Sequence, residues 1–167
     1  MTPLQDSAMS TYERNANRLT VFLLMCMVGL AIFGTMQLSG PIPIHFNAAG
    51  QANRWGSPST LLVLALVGVI AVGLLWVIRN TPPELMHFPG PRSLDNVVRQ
   101  RLNFDHLLAT LRVIVAALFF VMIGQILWVG MYHKKSIFLW PSFLFIILIF
   151  SCILVGLVRA YRLSSDH

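Results

Sequence analysis

The chain has 167 residues, 56% hydrophobic and 11% charged, with a mean hydropathy of +0.73. A water-soluble domain carries roughly 25% charged residues, so the composition excludes an ordinary soluble enzyme or binding domain and points to lipid as the solvent. The net charge of +6 does not indicate nucleic acid, because the basic residues flank the apolar runs instead of forming one patch.

Residues 1–18 read as a polar tail carrying Arg14 and Arg18. The first apolar run, Leu19–Leu38, has the length of about 20 residues that a bilayer-crossing helix needs. It is too long for the apolar core of a signal peptide, and "MQLSGP" offers no A-x-A cleavage site, so it is read as a signal anchor and first helix. The loop that follows, residues 39–59, is unlike a plain polar turn. In "IPIHFN", Ile42, Ile44 and Phe46 alternate with Pro43, His45 and Asn47. An extended segment would therefore press its Ile/Ile/Phe side onto the helices or lipid and present His45 and Asn47 opposite. "NAAG" suits a turn, with Asn47 first and Gly50 fourth. "ANRWGS" then returns the chain, with Trp55 at headgroup level and Ser57 or Ser59 capping the next helix.

The second span is Thr60–Ile78. In residues 80–106, Pro82, Pro83, Pro89 and Pro91 keep "NTPPELMHFPGPR" from being helical through its centre. Ser93 or Asp95 can cap a lead-in helix, whose Leu94, Val97, Val98 and Leu102 form a face suited to the membrane interface. Asp95 with Arg99, and Arg101 with Asp105, are i,i+4 pairs on its polar side. Both a solvated face and contact with anionic lipid fit this basic segment. The third and fourth spans, Leu107–Met131 and Ile137–Val158, make a second helix pair over 107–158, and 159–167 is a tail with Arg159 and Arg162. No run alternates with period two, which excludes a barrel. The expectation is an all-α integral membrane protein of four transmembrane helices.

Counting Lys and Arg gives the orientation. The two tails and the second loop hold eight, the first and third loops three (Arg54, Lys134 and Lys135), and Arg112 lies within a span. The excess places both termini in the cytoplasm and the loop at 39–59 outside. Trp55, Trp128, Tyr132 and Trp140 would mark the outer interface, Trp76 and Tyr161 the inner one. Snorkelling to the headgroups would satisfy Arg112. Gln37 and Gln125 are expected to bond between helices. No span as drawn contains Asp or Glu, which argues against a proton-coupled pump. Cys26 and Cys152 read as buried apolar fillers. No GxxxG pair is present, since Gly29 with Gly34 and Gly68 with Gly73 have the wrong spacing.

The pattern I-P-x-H-F-N-x-x-G-x-x-x-x-W-G-S after a first membrane helix resembles a bacterial membrane family of unknown function. That domain forms the N-terminal part of Sdp-type toxin-immunity proteins. Ile42, Pro43, His45, Phe46, Asn47, Gly50, Trp55, Gly56 and Ser57 carry the likeness, within residues 19–79. Members of that family often have acidic residues in the turn and a basic residue after Gly-Ser, where this chain has Gln51, Asn53 and Pro58. The second helix pair shows no such likeness. The resemblance implies a multi-pass protein of the bacterial plasma membrane that meets an extracytoplasmic peptide or protein, in an immunity-like or sensor-like role. His45, Asn47, Arg54 and Trp55 are the candidate contacts; Ile42, Pro43, Phe46, Gly50, Gly56 and Ser57 are expected to shape the loop. An auxiliary subunit of a larger membrane assembly is the alternative. An enzyme is disfavoured, because His45 and His133 lie on the outer side without a carboxylate or thiol there, short of a usual zinc ligand set. No cofactor or metal is expected.

Overall fold

The computed structural model describes residues 9–165. In chain order it contains α1 (Thr11–Gln37), β1 (Ile42–Phe46), β2 (Ala52–Gly56), α2 (Thr60–Arg79), a 3-10 turn at Pro83–Leu85, α3 (Leu94–Met131) and α4 (Trp140–Ser165). All four α-helices are long and apolar enough to cross a membrane. The described structure is thus mostly helical, but its first loop is a β-hairpin, an addition to the all-α expectation.

α3 is the spine: it packs extensively on α1, α2 and α4 and also touches β1. Its 38 residues run about 57 Å at 1.5 Å per residue, against roughly 30 Å of hydrocarbon. The lead-in expected before the third span is continuous with it, capped by the Ser93 hydroxyl, which accepts from Asn96 N. Small side chains bring the other helices close. A Cβ on Gly34 of α1 would lie 2.6 Å from Leu61 Cδ1, and one on Gly68 of α2 would lie 2.9 Å from Phe119 Cγ. With Ala31 and Ala65 these glycines form two small-x-x-small pairs, which serve the close approach that GxxxG serves elsewhere. Met27, Ile42, Leu61 and Ile123 fill the remaining core.

The end of the bundle that carries both chain termini is knit by polar side chains. α1 begins at Thr11, within the expected tail, because Ser10 and Glu13 form a capping box: Ser10 N donates to Glu13 Oε2 and Glu13 N to Ser10 Oγ, each at 3.1 Å. The other oxygen of Glu13 accepts from Arg79 Nε of α2 at 3.1 Å. Arg101 of α3 donates to the carbonyls of Thr81 (2.6 Å) and Arg79, closing the C-terminus of α2, and to Asp105 at 3.1 Å. The Arg101–Asp105 pair therefore faces the helices and not water; Asp105 is 2% exposed. Arg112 does not snorkel. It is fully buried, donates to Asn17 Oδ1 at 3.0 Å and lies 5.5 Å from the Trp76 ring centroid, joining α3 to α1 and α2. Asn96 and Gln100 turn inward and hold the Pro89 and Pro91 carbonyls, and Gln100 also donates to Ala160 O at 2.8 Å. Leu94, Val98 and Leu102 turn outward.

At the other end, β1 and β2 pair antiparallel, with two register shifts. Ile42 pairs with Gly56 and Pro43 with Trp55; Ile44 is then an extra residue on β1 and Asn53 an extra one on β2. The first shift exposes Ile44, so the simple Ile/Ile/Phe alternation breaks: Ile42 and Pro43 are both buried. The turn is the expected one, with Gly50 N donating to Asn47 O at 2.9 Å. The third loop then pairs with the hairpin. Ala52 N donates to Lys135 O at 2.8 Å and Ile137 N to Gly50 O at 2.9 Å. These bonds keep residues 137–139 out of the fourth helix, which starts at Trp140 and not at Ile137. Gly50 is required twice over: its φ is +75°, and a Cβ would lie 2.8 Å from Ile137 O.

Two outcomes follow. Gly50→Ala loses about 1–3 kcal/mol, seen as a lower melting temperature in mild detergent, whereas Gly40→Ala, with open space around its Cβ, changes nothing. Arg101→Met loses about 3 kcal/mol by stranding Asp105, and adding Asp105→Asn recovers part of it in a double-mutant cycle read by the same melts.

Candidate functional site: the hairpin cap

The cap is an ordered platform held at three places. Ile42 is sunk into the core shared by α1, α2 and α3. The Gly50–Ala52 stretch is paired to the third loop. That loop is in turn fixed to α3: Gln125 Oε1 accepts from Phe138 N at 3.0 Å, and Trp128 stacks on Phe138 with ring centroids 5.6 Å apart. Gln125 thus bonds to a loop, where an interhelical bond was expected. Lys134 lies over the other ring neighbour of this group, 6.0 Å from the Trp128 centroid.

On this platform the sequence-predicted residues divide by what their side chains do. Asn47 is spent on the turn: its Oδ1 accepts from Ala49 N (3.0 Å) and Gln51 N (2.9 Å), and its Nδ2 donates to Gln51 Oε1. An Asx turn of this kind substitutes a side chain for a backbone acceptor. Gly56 packs against Ile44, where a Cβ would lie 2.9 Å from Ile44 Cδ1. Ser57 Oγ accepts from Ser59 N and from Ser59 Oγ at the entry to α2, while Ser59, the residue before the helix, makes no side-chain cap bond of its own. Phe46 is half-buried beside the groove described below.

His45, Arg54 and Trp55 are exposed, Trp55 by 51%. His45 and Arg54 are register partners. His45 Nδ1 donates to Asn53 Oδ1 at 2.6 Å, since an amide oxygen can only accept. Asn53, the extra residue of β2, is the partner that sequence reasoning missed; it sits eight residues from His45 across a bulge that no local pattern announces. Arg54 has no ion-pair or hydrogen-bond partner among the described residues. The cap carries Arg54, Lys134 and Lys135 and, among the described residues, no carboxylate in either loop.

Beneath β1 a groove of about 380 Å³ opens between the hairpin, α2 and the α3–α4 pair. Its walls are apolar, from Ile44, Phe46, Val63, Val67, Met122 and Ile126, with His45 and Gln125 as polar points at the hairpin end. The Gln125 Nε2 is buried and has no hydrogen-bond partner among the described residues. Among the described residues, no three His, Cys, Asp or Glu side chains are grouped to hold a metal ion.

No curated protein and no solved structure matches the chain. Residues 20–70 match the model of a domain of unknown function, DUF1648. The matched stretch runs from within α1, through the hairpin, into α2. The chain is a multi-pass membrane protein whose helix–hairpin–helix segment is similar to that domain.

Proposed function

We propose that the hairpin cap is a recognition surface for an extracytoplasmic peptide or protein, in a non-enzymatic protein of the bacterial plasma membrane with both termini in the cytoplasm. One observation carries this reading: a hairpin anchored in the core by Ile42 and paired at Gly50 and Ala52 to the third loop nevertheless leaves Ile44, His45, Arg54 and Trp55 exposed. Trp and Arg are enriched among the residues that dominate binding energy in protein interfaces, and a pre-ordered backbone leaves only side-chain freedom to be lost. The cationic cap favours a ligand with acidic groups, and the groove under β1 favours one with an apolar side. Orientation rests on the excess of Lys and Arg at the end that carries the termini, eight against three. The likeness to the N-terminal domain of Sdp-type immunity proteins suggests an exported killing peptide as the ligand class, in an immunity-like or sensor-like role.

A second reading is an auxiliary subunit of a larger membrane assembly. It is favoured by α4, which packs on α3 and turns Phe143, Ile147, Phe150, Leu154 and Leu157 outward. Such a face suits another membrane helix as well as it suits lipid.

The combined variant His45→Ala, Arg54→Ala, Trp55→Ala, which spares the turn-forming Asn47, is expected to abolish protection in cells challenged with the toxin peptide while membrane expression holds. Full protection by that variant rejects the recognition surface. Crosslinking in native membranes separates the two readings: a stoichiometric membrane partner joined through α4 supports the subunit, and crosslinks to an exported peptide through the cap support recognition.

A further inference from the structure

A second groove, of about 590 Å³, lies on the opposite half of the bundle, between α3 and α4 near the end that carries the termini. Its lining has a direction. Along α3, from that end inward, come Asn103, His106, Leu107, Thr110 and Ile114; antiparallel to them, α4 supplies Arg159 at the mouth and Val155, Cys152 and Leu148 toward the bundle centre. The mouth is polar and the throat mainly apolar, with Thr110, Ser151 and Cys152 set among Leu107, Ile114, Leu148 and Val155. From Asn103 to Ile114 is about 16 Å of helix, close to the depth of one leaflet of a hydrocarbon core of roughly 30 Å.

The polar groups at the mouth are occupied, with one exception. Asn103 Nδ2 donates to Gly156 O at 2.9 Å, tying α3 to α4 across the groove floor. Tyr12 OH and Thr110 Oγ1 are 2.7 Å apart, and His106 Nε2 lies 3.3 Å from Ser10 Oγ. Arg159 is exposed and has no ion-pair or hydrogen-bond partner among the described residues. None of the residues lining the groove is acidic. A cation at the mouth with no anion beside it among the described residues, above a mainly apolar throat, in a protein whose solvent is lipid, is the complement of one chemical class.

We propose that this groove seats one anionic phospholipid, with its headgroup phosphate on Arg159 and an acyl chain along Leu107, Ile114, Leu148 and Val155. A zwitterionic lipid can fill the same throat but brings its own cation to the mouth. The selectivity therefore lies in Arg159, and the fit in the apolar walls. Neither depends on what the cap binds.

The test uses the intact protein in mild detergent, offered equal amounts of phosphatidylglycerol and phosphatidylcholine and read by native mass spectrometry. One phosphatidylglycerol is expected to be retained in preference. Arg159→Gln, a change at an exposed position outside the core, is expected to lower its retention about fivefold, the worth of one cation beside an anionic headgroup, and to leave phosphatidylcholine unaffected. Ile114→Trp, which fills the throat and spares Arg159, is expected to lower the retention of both lipids. Equal retention of the two lipids by the native protein overturns the proposal. So does wild-type retention of phosphatidylglycerol by Arg159→Gln, or stabilisation by glycerol phosphate alone equal to that by the lipid.

Discussion

A polar group next to hydrocarbon has no water to fall back on, so it must find its partner in the protein. The two ends of this bundle meet most of that constraint by different means, leaving Gln125 Nε2 and two Arg112 nitrogens without hydrogen bonds among the described residues, and α3 connects them. At the end with the termini, the means are side chains: Glu13, Arg79, Arg101, Asp105 and Arg112 meet between three helices, and Arg101 supplies the donors that the C-terminus of α2 lacks. At the opposite end they are backbone groups. The hairpin pairs with itself and then lends its turn to the third loop, so that the connections over both helix pairs become one small β structure. The apolar middle can then be packed through small residues, because both ends already hold the helices in place.

This arrangement separates the residues that hold the cap's shape from those left exposed on it. Asn47, Gly50 and Ser57 spend their polar groups or their conformational freedom on the loop itself. His45 spends one nitrogen on Asn53 and keeps the other, and Arg54 and Trp55 spend nothing. The backbone of such a surface is already ordered, so covering it would cost mainly the freedom of its exposed side chains.

The four spans were legible because hydropathy is a local property. The limits of α2 follow from Ser57-Pro58-Ser59 before it and Arg79-Asn80 after it, and the Asn47–Gly50 turn follows from residue types alone. What stayed hidden depends on residues distant in sequence. Nothing in "YHKKSIFL" shows a strand-like pattern, yet residues 135–137 pair with the hairpin. Arg112 lies one turn inside its span and suggests a snorkelling side chain; only the packing of α1 brings Asn17, 95 positions away, within 3.0 Å. In the lead-in to α3, Leu94, Val98 and Leu102 face outward as an interfacial helix would place them; the unforeseen part is that Asn96 and Gln100 go inside to hold the proline-rich loop. Propensity cannot foresee which polar residues go inside, because their partners are carbonyls distant in fold or sequence, those of Pro89 and Pro91 in the loop and Ala160 in α4.

The two extra residues of the hairpin have a consequence for how this loop can change over time. Ile44 lengthens one strand by a residue and Asn53 lengthens the other, and each offset cancels the other before the turn is reached. Loss of both leaves a regular ladder with the same turn between the same helices. Loss of either alone slips the pairing by one position and sends every side chain beyond it to the other face. Removing both positions therefore preserves a pairing that removing either alone would disrupt, and the hydrogen bond from His45 to Asn53 spans that coupling.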